Sequence, residues 1–220
     1  MVAPAAPALW NIKTDKFYHE ALKNADFALP DSGYMVLILK IFKNIQINKL
    51  SGVEFLRKFI RGDSIKINSS LFLINPSEEE KKIYDKYLFE NNIKLTKDDH
   101  YIAPMYDKHS IVDQELLNML EQKRPNYILI NIGGGKQEPL GHYLKSNLSY
   151  NPAIICTGAA IAILSGAQGK IPRIIDKIYL GWLWRCFSDP TIFIPRYLTG
   201  FKLTKMLINE KIMQYKEQYE

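Results

Sequence analysis

The 220-residue chain has few cysteines and no long hydrophobic run, and each absence excludes a class of protein. Its two cysteines, Cys156 and Cys186, do not form a CxxC pair, which argues against a disulfide framework and against a zinc site. The longest apolar stretch, residues 152–164, is well short of the roughly 20 residues that a membrane-spanning helix needs. The opening MVAPAAPALW lacks the basic start and long apolar core of a signal peptide. We therefore expect a protein of the reducing cytoplasm that spans no bilayer.

The chain does contain enough apolar residues to bury one sizeable core. Hydrophobic residues make up 47% of the sequence, and short apolar runs alternate with amphipathic stretches. The runs at residues 70–75, 127–132 and 152–156 are typical of buried strands. Weaker strands are expected near residues 27–29 and at VAPAAP, which is interpreted as the tail of a first strand whose beginning is missing. This alternation of strand and helix predicts an α/β fold, a Rossmann-like parallel sheet with helices on both faces.

Positive charge is concentrated near the C-terminus. The net charge is +6, and residues 170–205 contain seven cations and two carboxylates. Aromatic residues alternate with these cations, and the pattern from Gly158 onward is helical. Basic and aromatic residues interleaved on helices suit an anionic membrane surface, although nucleic acid would also tolerate them. We therefore divide the chain into a Rossmann-like core, residues 1–168, and a basic, aromatic, helical C-terminal appendage, residues 169–220.

Three loops follow predicted strands at their carboxyl ends, where parallel α/β sheets bind ligands. They are PDSG at residues 30–33, GGGKQE at residues 133–138 and CTGAA at residues 156–160. The GGGKQE loop joins a buried strand to a helix start, which suits the binding of an anion such as a phosphate. The alternative is a tight turn with a solvated Lys136. The loop does not match the dinucleotide fingerprint GxGxxG, because Glu138 stands at the third glycine position.

Asp31 is the candidate for acid–base chemistry. A carboxylate at the end of a strand could act as a general base on a hydroxyl group. The structural alternative is an aspartate of a β-turn or of a helix N-cap. Ser51 and Glu54 have the spacing of a capping box for the helix that follows them. The topology predicts that Asp31 and the GGGKQE loop face each other across one groove.

Three stretches, read together, carry a resemblance to a known family. They are NADFALPDSG, NIGGGKQE, and CTGAAIAILSG continuing to LGWLWRCFSDPTIFIPRYL. They resemble the WecB/TagA/CpsF family of bacterial glycosyltransferases over nearly the whole chain. The resemblance implies a Rossmann-like, inverting and metal-independent enzyme that acts in surface polysaccharide synthesis. Such an enzyme transfers a sugar from a nucleotide-sugar, of the UDP-N-acetylhexosamine type, to a polyprenyl-diphosphate-linked saccharide, and no cofactor is implied.

The resemblance also implies roles for particular residues. Asp31 matches the proposed general base, which takes the proton from the acceptor hydroxyl as that hydroxyl attacks the anomeric carbon. The implied donor site comprises Ser32, Gly33, Gly133, Gly134, Gly135, Lys136, Gln137, Glu138, Thr157 and Gly158. Arg173, Arg185 and Arg196 fall in the region implied to meet the lipid diphosphate at the membrane. No metal ligand is implied.

The implied partners are the nucleotide-sugar donor, the polyprenyl-diphosphate-linked acceptor and the anionic inner face of the cell membrane. No nucleic acid is implied, and self-association into a homo-oligomer stays open. The chain departs from the family pattern at Ser32, which is inserted before Gly33, and at Ala162 and Gly181, which replace an aspartate and a glutamate. These two replacements motivate a second hypothesis, a catalytically silent homologue that binds a nucleotide-sugar or a membrane partner. A third hypothesis is nucleic-acid binding by the basic C-terminal region.

Overall fold

The computed structural model describes residues 1–62, 65, 70–107, 110–169, 172, 174–175 and 180–209. Within these residues, four strands form a parallel sheet. They are β1 (Leu71–Asn75), β2 (His100–Ile102), β3 (Tyr127–Ile130) and β4 (Ala153–Cys156). Their order across the sheet is β2-β1-β3-β4. The predicted α/β fold with a parallel, Rossmann-like sheet is therefore confirmed.

Helices connect the strands and surround the sheet. They are α1 (Ala6–Leu9), α2 (Lys16–Lys23), α3 (Gly33–Lys43), α4 (Gly52–Arg61), α5 (Glu78–Glu90), α6 (Gln114–Lys123), α7 (Gln137–Asn147), α8 (Ala160–Ser165), α9 (Gly181–Ser188) and α10 (Pro190–Asn209). In the part of the chain that the structure describes, no helix combines the length and hydropathy that a membrane crossing needs.

Two short segments extend the sheet beyond β4. Val2 forms parallel bridges with both Cys156 and Ala28, and the amide of Ala3 donates to the carbonyl of Cys156 at 2.9 Å. The start of VAPAAP therefore takes the strand position next to β4, as expected for a strand tail. The strand expected near residues 27–29 is reduced to a single bridge at Ala28. This segment lies at the outer edge and leads directly to Asp31.

The apolar core lies on both faces of the sheet. Side chains that pack toward α6 and α7 include Phe72, Ile74, Ile128 and Ile130. The alternate positions, which pack toward α4, α5 and α8, include Leu71, Leu73, Leu129 and Ile155. A strand that is covered on both faces carries apolar residues at every position. This is why the strands read as continuous apolar runs in the sequence.

The helices α9 and α10 of the predicted C-terminal appendage pack against the N-terminal part of the chain. One apolar cluster joins α1, α3 and α10 through Ala6, Leu9, Tyr34, Ile38 and Leu203. The rings of Tyr34 and Trp182 meet edge to face, with 5.3 Å between their centroids. The basic and aromatic helices therefore lie beside α3, the helix that begins just after Asp31. The domain boundary at residue 168 stays a prediction.

Candidate functional site

The candidate loops lie along one edge of the sheet. Ile130 pairs with Cys156, Cys156 with Val2, and Val2 with Ala28, so these four residues form one row across the sheet. Asp31 and Gly133 each follow this row by three residues. Three strand spacings of about 4.8 Å separate their strands, or roughly 14 Å in all. The structure thus places both at the carboxyl edge, with two strand positions between them.

Asp31 lines a cleft of about 100 Å³ at this edge. The cleft is walled by residues of the N-terminal segment, the starts of α3 and α4, and the C-terminal helices, including Lys49, Trp182, Arg185 and Tyr197. The structure therefore brings Arg185, one of the three predicted acceptor residues, to the same cleft as Asp31. Sequence reasoning did not single out the other three residues. The mixture of aromatic residues and cations near the C-terminus was a signal for Trp182 and Tyr197.

The Asp31 carboxylate is held by the N-terminus of α4. The amide of Gly52 donates to Asp31 Oδ1 at 2.8 Å. The capping box expected at Ser51 and Glu54 does not form, because the Ser51 side chain makes no capping hydrogen bond and Glu54 pairs with Arg57. A carboxylate from a distant loop takes the capping position instead. A backbone donor and a helix N-terminus both favour the ionised carboxylate.

The two residues after Asp31 also line the cleft. Ser32 caps α3, and its Oγ accepts a hydrogen bond from the amide of Met35 at 3.1 Å. Gly33 is the first residue of α3 and is buried. Both predicted donor residues thus lie beside Asp31. The hydroxyl of Ser32, however, already accepts a bond from its own helix.

The glycine loop, residues 133–136, forms a compact turn that opens α7. The amides of Lys136 and Gln137 donate to the carbonyl of Gly133 at 3.2 and 3.3 Å, and the amide of Gly135 donates to Glu138 Oε2 at 2.7 Å. Gly135 has φ +85°, a left-handed conformation that glycine adopts without strain. Several amides expected to cradle a phosphate therefore bond within the loop. Gly133 and Gly134 are exposed, and Lys136 is half-buried.

Gln137 and Glu138 hold two loops together. Each is only 1% exposed. The amide of Gly158 donates to Gln137 Oε1 at 2.8 Å, and Gln137 Nε2 donates to Glu138 Oε1 at 3.2 Å. Burial raises the pKa of the Glu138 carboxyl. The first turn of α7 packs these side chains inward, so they tie the loop after β3 to the loop after β4.

Polar side chains also occupy the carboxyl ends of three neighbouring strands. Asn75 ends β1, Asn131 follows β3 and Thr157 follows β4, and all three are buried. Asn131 Nδ2 donates to Asn75 Oδ1 at 3.1 Å. Within the described residues, Asn131 Oδ1 and Thr157 Oγ1 have no hydrogen-bond partner. Thr157 was a predicted donor residue. The two asparagines were missed, although the similar endings FLIN and ILIN of two apolar runs were a signal.

The other predicted acceptor residues are less defined. Arg173 lies outside the described residues, and Arg196 lies in α10 with its side chain outside the described part. Arg185 is half-buried, and its Cζ atom lies 5.3 Å from the centroid of the Phe193 ring. This cation–π contact links α9 to α10. It also holds the Arg185 side chain at the cleft.

A larger cavity, of about 740 Å³, extends along the whole of β4 and the edge segments beside it. Its lining is mostly apolar and includes Phe55, Phe59, Tyr127 and Ile154. The cavity reaches from Tyr127, the first residue of β3, to Cys156 at the carboxyl end of β4 and to Leu29, two residues before Asp31. Of the predicted site residues, Glu138 reaches it.

A parallel α/β sheet with a carboxylate, cations and a glycine loop along its carboxyl edge is the arrangement of a Rossmann-like ligand-binding fold. The chain matches the model of the Glycosyl transferase WecG/TagA/CpsF family over residues 1–217, and it therefore belongs to this family of glycosyltransferases. It is similar to enzymes named N-acetylglucosaminyldiphosphoundecaprenol N-acetyl-beta-D-mannosaminyltransferase. The one from Bacillus spizizenii is 21% identical over 196 residues, covering 83% of this chain and 70% of the relative. The one from Staphylococcus aureus is 21% identical over 193 residues, covering 86% and 72%.

Proposed function

We propose that this glycosyltransferase moves a sugar from a UDP-N-acetylhexosamine-type donor to a polyprenyl-diphosphate-linked saccharide, with inversion and without a metal ion. The names of the relatives specify transfer of an N-acetylmannosaminyl group to N-acetylglucosaminyldiphosphoundecaprenol, which supports this donor and acceptor class. The observation that carries the proposal is that Asp31 and Arg185, far apart in the sequence, line one cleft at the carboxyl edge of the sheet.

Asp31 is the base of the proposed reaction. The acceptor hydroxyl oxygen attacks the anomeric carbon of the donor, and the bond from that carbon to the diphosphate oxygen breaks. The bonding electrons leave with UDP, and the hydroxyl proton passes to the Asp31 carboxylate. The Gly52 amide fixes the direction of this carboxylate and favours its ionised form, which a base requires. One base is enough for inversion, because no covalent intermediate forms.

Positive charge stabilises the departing UDP. Lys136 lies at the start of α7, and Arg185 lies in the cleft with Asp31. The positive end of the α7 dipole adds to the field of Lys136. Preorganised cations and helix ends of this kind lower the energy of a leaving group as its negative charge develops. They therefore support a reaction without a metal ion.

Gln137 and Glu138 act in this proposal by positioning. Both side chains are buried, and their hydrogen bonds connect the amides of Gly135 and Gly158. These two glycines belong to the loops that flank the expected path of the donor. The residues thus hold the walls of the donor site at a fixed separation.

We also propose that the protein binds the cytoplasmic face of the membrane through α9 and α10. Phe187 in α9 is 76% exposed, and Leu198 in α10 is 60% exposed. Exposed apolar side chains among cations suit the interface of an anionic bilayer. Such contact would bring a lipid-linked acceptor to the cleft, which these same helices help to form.

The Asp31→Asn variant tests the reaction. UDP release would be measured with UDP-N-acetylhexosamines and a polyprenyl-diphosphate-linked N-acetylglucosamine acceptor. We expect a loss of about 10²- to 10⁴-fold in kcat, the usual contribution of a general base, with donor binding retained. The asparagine oxygen can still accept the Gly52 amide, so the cap of α4 is kept.

Asp26→Asn is the matched control for this variant. Asp26 is exposed and pairs with Lys145 away from the cleft, so its loss should leave UDP release unchanged. Full activity of Asp31→Asn would exclude Asp31 as the base. The silent-homologue hypothesis is motivated by Ala162, which lies in the apolar core where the family pattern has an aspartate. Tight binding of a UDP-sugar without turnover with any polyprenyl acceptor would favour that hypothesis.

Liposome sedimentation tests the membrane contact. We expect the wild type to sediment with anionic liposomes, and the Phe187→Ser/Leu198→Ser double variant to lose most of this binding. Phe89→Ser is the control, because Phe89 is 63% exposed on α5, away from these helices. Equal sedimentation of all three proteins would contradict the proposed surface. Salt-dependent binding to nucleic acid without liposome binding would favour the nucleic-acid hypothesis instead.

A further inference from the structure

The strand order reverses direction between β1 and β3. From β1 the chain proceeds to β2 on one side of it, and then to β3 on the other side. Such a reversal leaves a crevice outside the carboxyl ends of the two strands, where α/β folds bind ligands. Asn75 is the last residue of β1, and Asn131 directly follows β3. Two asparagines therefore lie at the switch point of the sheet.

Four polar side chains form a line from α5 to this crevice. His100 Nε2 lies 3.0 Å from Asp85 Oδ1, and His100 Nδ1 lies 3.2 Å from Asn75 Nδ2. Asn131 Nδ2 donates in turn to Asn75 Oδ1 at 3.1 Å. Asp85 Oδ1 makes no well-directed hydrogen bond within the described residues. Its carboxylate is close enough to Nε2 to favour a proton on that nitrogen, so Nδ1 accepts from Asn75. Burial lowers the pKa of His100, which also favours the neutral ring.

The hydrogen bonds between Asn131, Asn75 and His100 all run in one direction, and the group at the end is the acceptor Asn131 Oδ1. Asn131 donates to Asn75, and Asn75 donates to His100, so the amide orientation of both asparagines is determined. The oxygen of Asn131 is left buried and, within the described residues, without a donor. A buried acceptor is destabilising until a donor reaches it. The loop that follows Asn131 is open at Gly133 and Gly134, where a Cβ would meet no described atom within 4 Å beyond the adjoining residues.

The orientation of the nucleotide-sugar along the carboxyl edge of the sheet indicates which part of it reaches Asn131. If the proposed function holds, the anomeric carbon lies beside Asp31 and the diphosphate lies toward Lys136. The cleft at Asp31 is about 100 Å³, whereas ligand pockets usually measure about 300–1,000 Å³. We take the donor to extend beyond this cleft, along the edge toward Lys136. Continuing in the same direction, its nucleoside half arrives at Asn131 and Asn75.

Resting on the proposed function, we propose that Asn131 recognises the nucleoside half of the donor. Its Oδ1 accepts a hydrogen bond from a ribose O–H or from the imide N–H of the base. Asn75, His100 and Asp85 are positioning residues that orient the Asn131 amide. Because Asn131 Oδ1 is held in one orientation, it favours a nucleoside that presents a hydrogen-bond donor to it.

Titration calorimetry with UDP and three analogues tests this inference. The analogues are 2′-deoxy-UDP, 3′-deoxy-UDP and N3-methyl-UDP, and each lacks one candidate donor group. We expect the wild type to bind one of them about tenfold more weakly than UDP, the effect of one lost hydrogen bond. The analogue that loses affinity identifies the group as ribose hydroxyl or base imide. Asn131→Ala should bind UDP about tenfold more weakly and should no longer distinguish that analogue from UDP.

The ratio of the two affinities separates recognition from structural damage. A merely structural defect would weaken the binding of UDP and of the analogue equally, so the ratio of their affinities would not change. His100→Gln should instead reduce this ratio, because His100 orients the Asn131 amide through Asn75. Asn126→Ala is the control, because Asn126 bonds Ser70 at the opposite end of β3, and it should bind UDP as the wild type does.

Each result has a defined meaning. A wild type that binds neither UDP nor a UDP-sugar overturns the proposed function. A wild type that binds UDP and all analogues equally, or an Asn131→Ala variant that discriminates as the wild type does, overturns the inference alone. If Asn131→Ala does not fold, the wild-type analogue series still decides.

Discussion

The two cavities beside the sheet differ in size and in chemistry. The cleft at the carboxyl edge measures about 100 Å³ and holds Asp31, Lys49 and Arg185. The cavity along β4 measures about 740 Å³ and is lined mainly by apolar side chains. In a parallel sheet the following helices begin at the carboxyl ends, so their positive N-termini and the polar loops gather there. Of these two cavities, the smaller one at the carboxyl edge therefore has the more polar lining.

The largest difference in turnover between the carboxyl and amino-terminal ends of the sheet is expected from Gln137→Leu. This change keeps the side-chain size but removes the acceptor of the Gly158 amide and a donor to Glu138. The two loops should then shift relative to each other, and a misplacement of about 1 Å lowers turnover on the order of 100-fold. UDP release measures this loss.

Lys145→Met is the corresponding change at the other end. Lys145 lines the larger cavity and forms an exposed ion pair with Asp26. Exposed pairs contribute about 0–1 kcal/mol, so stability should change little and turnover should not change. Equal losses of activity in the two variants would show that the ends are not functionally distinct.

The fold was predictable because it depends on patterns that are local in the sequence. Strands covered on both faces give continuous apolar runs such as YILI in β3, and the helices between them imply parallel pairing. The position of Asp31 and of the glycine loop at the carboxyl edge was predictable because both follow strand-forming segments. The inward direction of Gln137 and Glu138 was not predictable, since it depends on how α7 packs on β4.

The predicted capping box at Ser51 was wrong for a similar reason. Local spacing favours Ser51 and Glu54, but a carboxylate that arrives from residue 31 accepts the Gly52 amide. The line from Asp85 to Asn131 also joins residues from separate elements, and no spacing rule connects them. Long-range contacts of this kind shape the candidate site, whereas local patterns determine the strands and helices.

Gly141→Ala tests how closely α7 packs against β4. A Cβ at this position would lie 2.9 Å from Cys156 Sγ, so the helix must move away from β4. We expect a loss of about 1–3 kcal/mol in the free energy of unfolding, typical of overpacking, as measured by urea denaturation. The Gly141→Ala/Cys156→Ala double variant removes the clash and should recover most of the loss. An unchanged double variant would assign the loss to another contact.

The pH dependence of stability should have opposite signs for two carboxylates. Burial raises the pKa of Glu138 above its ordinary value of 4.5. The folded state therefore holds this proton more tightly than the unfolded state, and stability falls as the pH rises from 4.5 through the folded pKa. Glu138→Gln should remove this fall. Thermal unfolding of both proteins between pH 4.5 and 8 measures it.

Asp26, at the rim of the larger cavity, provides the opposite case. The hydrogen bond from Lys145 lowers the pKa of Asp26 below its ordinary value of 3.8. Its contribution to stability is therefore present above pH 3.8 and is lost as the pH falls through the folded pKa. Because Asp26 is 65% exposed, solvent screens this contribution and it should be small. We expect Glu138→Gln and Asp26→Asn to change the pH dependence of stability with opposite signs. Changes of the same sign would contradict the burial of Glu138 as an unfavourable charge beneath the glycine loop.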